Sequence, residues 1–186
     1  ERIGGGRGVA DPPGDLDHAV ETICSLDAND YTDGTAIQAL KSLSEGLARC
    51  KADGSDLQGG LKCQMGAWLS MVGIVAGTRL GASHAIGHIL GGSAGVPHGH
   101  TSCVMLPYVL DYNKPVNADR QRLVAEALGK LDAPASETVH HLIKGLGMPR
   151  TLREVGVQHE RVVARREIRP AGRLGWIPAM NSASEA

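Results

Sequence analysis

The sequence contains no phenylalanine, and Phe, Trp and Tyr together make up 3% of its 186 residues. A core must therefore come from Leu, Val, Ile, Ala and Met. A charge excess is also missing. The net charge is −1 at pH 7, which removes any global electrostatic case for nucleic acid or a membrane surface as partner. No run of 18 apolar residues occurs, so no spanning helix is expected. Residues 1–14 lack the apolar stretch of a signal peptide. The four cysteines, Cys24, Cys50, Cys63 and Cys103, form no CxxC pair, which argues against a zinc knuckle. A chain of this length needs no disulfide staples, so reduced thiols in a cytoplasmic protein are expected.

Glycine, at 25 residues, is abundant. Residues 1–14 hold five of these glycines with Pro12 and Pro13 and read as a loose leader. No strand precedes these glycines and no P-loop lysine follows, so a phosphate cradle is not expected. Helical spacing begins at residue 15, with Asp15 or Asp17 as cap, and runs to residue 25. A second helix fits residues 32–50, with Ile37, Leu40, Leu43 and Leu47 on one face. Leu57, Leu61, Met65, Trp68, Leu69, Val72 and Ala76 mark a long amphipathic helix. Gly59, Gly66, Gly73 and Gly77 thin one side of it, which predicts a close helix or ligand contact there.

Residues 81–90 read as a further helix ending at the Gly91-Gly92 pair, and Pro97 suits the first turn of the next segment. Pro107 is expected to end or kink that segment. Residues 118–128 are helical. Ser136 is the expected N-cap of a helix over 137–146, which Gly147-Met148-Pro149 stops. No repeat and no two-residue alternation stands out, so the reading is one all-α helical bundle over residues 15–157. Arg161, Arg165, Arg166, Arg169 and Arg173 make residues 158–186 a basic tail with little pattern. It is read as a solvated face and poorly ordered end, with an anionic partner as the alternative.

Chemistry concentrates in the segment Gly-Ala-Ser-His84-Ala-Ile-Gly-His88, continued by Pro-His98-Gly-His100. His84 and His88 are four apart and share a helix face, and the turn at Pro97 can return His98 to it. Converging imidazoles can ligate a metal, move a proton or polarise a carbonyl near neutral pH. A lone helical histidine is usually an ordinary hydrogen-bonded residue, and His140, His141 and His159 are read so. Four of eight histidines within 17 residues favour a site.

Residues 81–113, ending Val-Met-Leu-Pro-Tyr-Val-Leu-Asp-Tyr-Asn, resemble the signature of the iron-containing alcohol dehydrogenase and maleylacetate reductase superfamily. Leu16-Asp17-His18-Ala19-Val20-Glu21 resembles its first helical motif, and Gly147-Met148-Pro149-Arg150-Thr151-Leu152-Arg153-Glu154-Val155-Gly156 a later one. The resemblance spans about residues 16–157 and implies the family's C-terminal helical domain. Full members add an N-terminal nucleotide-binding α/β domain, which residues 1–14 cannot supply. The chain is thus expected to be a fragment, from a truncated or damaged reading frame, or a stand-alone derivative.

The resemblance implies NAD(P)H-dependent reduction of a carbonyl or enone in the complete enzyme, with the chain as the part that binds the small-molecule substrate. It implies His84, His88 and His98 as catalytic, and His18, His84 and His98 as metal ligands for iron or zinc. Metal-using members place an Asp four residues before the first histidine; here that position is Gly14, with Asp15 off register. Maleylacetate reductase-like members often lack this acid. Proton-transfer roles are therefore favoured over ligation. Two alternatives stay open: a stand-alone isomerase or lyase using the histidine pocket, and a catalytically inactive interaction domain. A homo-oligomer is compatible with the sequence.

Overall fold

A computed structural model describes residues 12–157. These fold into six helices: α1 Pro12–Cys24, α2 Asp30–Ala52, α3 Leu57–Val75, α4 Ala82–Ala94, α5 His98–Ala127 and α6 Ala135–Leu146. Among the described residues there is no strand, as the spacing predicts. Helix α2 packs on α3, α1 lies against α2, α3 and α5, and α4 and α6 flank α5. Leu40, Leu43, Val20 and Ile23 are among the largest fully buried side chains. Each such burial contributes about 1.5–3 kcal/mol. The core is aliphatic, and none of its described buried hydrophobic residues is aromatic.

The helix boundaries differ from expectation in informative ways. Helix α1 starts at Pro12, so Asp15 lies in its first turn and Asp17 inside it, neither as a cap. Helix α2 starts earlier than residue 32 because Asn29 forms a reciprocal capping box with Thr32. Helix α4 runs through Gly91-Gly92 and stops at Gly95, which adopts the left-handed conformation (φ 68°). Two glycines weaken a helix, but a left-handed residue ends it. Pro107 and Pro115 lie inside α5, and the irregularity sits at Asn117 (φ −140°, ψ 30°). Pro134, and not Ser136, caps α6. Gly147 ends α6 as expected. His159 and the five arginines of the basic tail lie outside the described residues.

Helix α3 reverses the orientation its apolar pattern suggests. Its buried face is small: Gly59, Gly66, Ala67, Ser70 and Gly73. A Cβ at Gly73 would lie 2.4 Å from Thr22 Cγ2 of α1, and one at Gly66 would lie 2.7 Å from Leu43 Cγ of α2. The glycines thus answer the expected close helix contact. Gly77 does not share it; it is an exposed turn residue at φ 91°. Among the described residues, no helix is long and apolar enough to cross a membrane.

Candidate functional site

Three elements build the site: α1 supplies His18, α4 supplies His84 and His88, and α5 supplies His98 in its first turn. Gly87 brings α4 and α5 together, since a Cβ there would meet Thr101 Oγ1 at 2.7 Å. The four imidazoles converge. Ring centroids are 4.6 Å apart for His18–His84, 5.1 Å for His84–His98, 5.6 Å for His88–His98 and 6.3 Å for His84–His88. His100 takes no part in these ring contacts among the described residues. His141 Nδ1 instead sits 2.9 Å from the Glu137 carbonyl on an exposed face, as an ordinary histidine would.

His84 is buried and His88 is exposed, so the cluster runs from the interior to the surface. Glu21 fixes its inner end. Glu21 Oε2 accepts from Gly81 N at 2.9 Å and Oε1 from Ser83 N at 2.8 Å. These are N–H groups at the start of α4, whose own N-cap, Gly81, offers no side chain. The absence of a Cβ at Gly81 is required, because one would lie 2.8 Å from Glu21 Oε1. The same carboxylate lies 3.0 Å from His84 Nδ1. An acceptor there holds the proton on Nδ1 and leaves Nε2, on the opposite edge, as the basic nitrogen.

Asp17, one turn earlier on α1, is fully buried beside the same ring, with Oδ2 3.3 Å from His84 Nδ1. It accepts from Ser83 Oγ at 2.8 Å. Burial pushes its carboxyl up to about 7, helped by the Glu21 charge, while His84, Ser102 and Ser83 pull the other way. Sequence spacing pointed to the histidines and missed the roles of Asp17 and Glu21. The signal was present, since Asp17 and Glu21 are four apart and share one face of α1. Nothing in the sequence said that α4 would start against them.

Ligand atoms of His18, His84 and His98 all lie within 4.8 Å of one another. That set fits a divalent ion held by nitrogen, which zinc and iron accept. Gly14, buried one turn before His18, adds no donor atom. Asp15 Oδ1 is 3.8 Å from His18 Nδ1, and its buried Oδ2 has no hydrogen-bond partner among the described residues. A void of about 10 Å³ between α1, α2, α5 and α6 is lined by apolar core residues and by none of the four histidines, and it is too small for a substrate.

The profile described as the Fe-containing alcohol dehydrogenase family, C-terminal, matches residues 15–167. A 1,3-propanediol dehydrogenase of Klebsiella pneumoniae is 36% identical over an alignment of 154 positions that covers 77% of this chain and 39% of that protein. A maleylacetate reductase of Rhodococcus opacus is 34% identical over 80% of this chain and 41% of its own length. The crystal structure of a maleylacetate reductase from a Rhizobium strain superposes with a TM-score of 0.78 at 28% identity, over 92% of this chain and 48% of that one. The chain spans about two fifths of the length of the curated relatives it matches.

Proposed function

Because the chain belongs to the Fe-containing alcohol dehydrogenase family, whose C-terminal part it matches, we propose that it is the substrate-binding helical part of an NAD(P)-dependent oxidoreductase that reduces a carbonyl or enone. The supporting observation is the convergence of His18, His84, His88 and His98 at one place, with Glu21 fixing His84. When bound, NAD(P)H would supply the hydride, and an ion on His18, His84 and His98 would polarise the substrate oxygen as a Lewis acid. His84 Nε2 faces away from Glu21 and, with the ring proton on Nδ1, can accept a hydrogen bond from a substrate hydroxyl at that position. His98, 5.1 Å away by ring centroid, gives a second contact to the same atom. His88, at the exposed end, carries the proton between solvent and the substrate oxygen. With Gly14 offering no carboxylate ligand to His18, His84 and His98, an ion is held weakly, and hydrogen bonding and proton transfer dominate.

Titration of the chain with 1,3-propanediol and with maleylacetate, followed by the ring nitrogen signals of its histidines, tests this. Saturable changes at His84, His88 and His98, absent in His84→Ala, are expected with at least one of the two. No change at millimolar ligand would contradict the reading. The buried Asp17–Glu21–His84 group favours a second reading, a non-redox isomerase or lyase. Turnover of an enone by the chain without any nicotinamide nucleotide would select it.

A further inference from the structure

Two thiols face each other outside the histidine cluster. Cys50 lies in the last turn of α2 and Cys63 in the second turn of α3. Each sits against a glycine of the other helix. A Cβ at Gly46 of α2 would lie 2.9 Å from Cys63 Sγ, and one at Gly59 of α3 would lie 3.1 Å from Cys50 Sγ. Gly46 is about one turn before Cys50, and Gly59 about one turn before Cys63. Both sulfurs therefore share one seam between the helices, where they are in hydrogen-bond contact. The seam is tight, since the Gly46 Cβ position is also 2.9 Å from Cys63 N and from Gly59 O. A disulfide needs Cα atoms within about 7 Å, whereas packed helix axes usually stand about 8–10 Å apart. The two glycines supply the closer backbone approach.

We infer that Cys50 and Cys63 form a redox-active thiol pair, which hydrogen peroxide closes to a disulfide joining α2 to α3. The Cys50 thiolate attacks one peroxide oxygen and the O–O bond breaks. Cys50 becomes a sulfenic acid, and the hydroxide that leaves takes up the proton Cys50 released. The Cys63 sulfur then attacks the Cys50 sulfur, the S–O bond breaks and the S–S bond forms. The Cys63 proton joins the departing hydroxide as water. Two thiols thus lose two electrons in all, and one peroxide is reduced to two waters.

The surroundings divide the roles. Burial pushes the Cys63 thiol up to about 12, and the Cys50 charge, a hydrogen bond to Cys50 and the Asp15 charge act in the same direction. A hydrogen bond that raises a thiol is one the thiol donates, so Cys63 donates to the Cys50 sulfur. Cys50 therefore holds the electron pair and attacks, and Cys63 resolves. Both residues are half-buried, and residues 51–55 beyond Cys50 are exposed, which leaves a small oxidant a path. Cys103, by contrast, is buried in the aliphatic core. The inference does not depend on the proposed oxidoreductase reading, because the pair stands on α2 and α3 and the histidines on α1, α4 and α5.

Peroxide treatment of the full 186-residue chain, then denaturing alkylation with iodoacetamide and peptide mass mapping, tests it. The reduced chain, with four cysteines, takes four labels. The oxidised chain is expected to take two, at Cys24 and Cys103, and to yield peptides joined through Cys50 and Cys63 that dithiothreitol separates. Cys63→Ser should leave a Cys50 sulfenic acid that dimedone traps. Cys63 in Cys50→Ser should oxidise roughly tenfold more slowly than Cys50 does in Cys63→Ser. Circular dichroism should match the parent for both variants, and the mapping of the parent chain stands without them. Four labels after peroxide, or Cys50 and Cys63 recovered separately as sulfinic acids, would overturn the proposal. A disulfide from either thiol to Cys24, to Cys103 or to a second chain would overturn it as well.

Discussion

Helices α1 and α3 lie against each other and treat polarity in opposite ways. Helix α1 buries Asp15, Asp17, Glu21 and Thr22. Helix α3 exposes Leu57, Trp68 and Val75 and buries glycine, alanine and serine. Stability alone explains neither arrangement. Buried carboxylates lose solvation that apolar side chains would not, and an exposed tryptophan forfeits burial that an inward one would gain. The two departures have different physical content. On α1 two of the three buried acids meet a definite partner, since Asp17 and Glu21 both face His84 Nδ1. Such pairing of a perturbed carboxyl with a buried imidazole is what a chemical site requires. On α3 the apolar surface has no partner among the described residues, which is what an association surface requires.

Breaking the inner face of α3 should give the largest effect. Gly73→Val forces a side chain into the space of Thr22, 2.4 Å from where its Cβ would sit. A loss of about 3 kcal/mol or more is expected in urea denaturation, or failure to fold. Val75→Ala on the outer face should stay within about 0.5 kcal/mol in the monomer. Equal tolerance at both positions would remove the contrast between the faces.

The polar side of the comparison is sharpened at Glu21. Glu21→Ala leaves Gly81 N, Ser83 N and His84 Nδ1 without their common acceptor. A loss of roughly 2–3 kcal/mol is expected, read as a lower urea midpoint. Metal binding gives a smaller signature. Protein prepared without chelator should carry metal well below one equivalent by elemental analysis. Zinc added back should bind reversibly and weaken about tenfold in Glu21→Gln, which loosens the ring that ligates. Stoichiometric metal that survives dialysis and is lost in His84→Ala would restore a firmly metal-dependent site.

The smallest effect concerns pH. Burial pushes the Cys24 thiol up to about 12, with Arg120 opposing. An unfolded thiol titrates near about 8.5, so the folded state keeps this proton longer. The contribution is complete below the unfolded value and is lost as pH rises towards 12. Urea midpoints should fall between pH 8 and pH 10, and fall less in Cys24→Ala. Labelling of Cys24 by iodoacetamide at pH 8 should be slow in the folded chain.

The all-helical architecture was legible because helical period survives in every strong apolar pattern. The histidine cluster was legible because His84 and His88 are four apart and His98 follows a turn. His18 entered through motif resemblance, since its sequence distance from His84 carries no geometric information. Helix ends were less legible. The Gly91-Gly92 pair looks like a stop, but the left-handed turn needed to stop α4 falls at Gly95. The orientation of α3 was not legible: its apolar stripe reads as a core face, and only the packing of Gly66 and Gly73 against Leu43 and Thr22 shows that the glycines point inward. Asp17 and Glu21 escaped for a related reason, because their partners are 60 to 66 residues away.

The central claim is that Glu21 presents His84 with its proton on Nδ1 and its basic nitrogen, Nε2, towards the other imidazoles. Long-range ¹H–¹⁵N correlation of the histidine rings near neutral pH reports the tautomer directly. The account predicts the Nδ1–H tautomer for His84, with partial loss of that preference in Glu21→Gln. A His84 ring protonated at Nε2 alone, unchanged by Glu21→Gln, would contradict it.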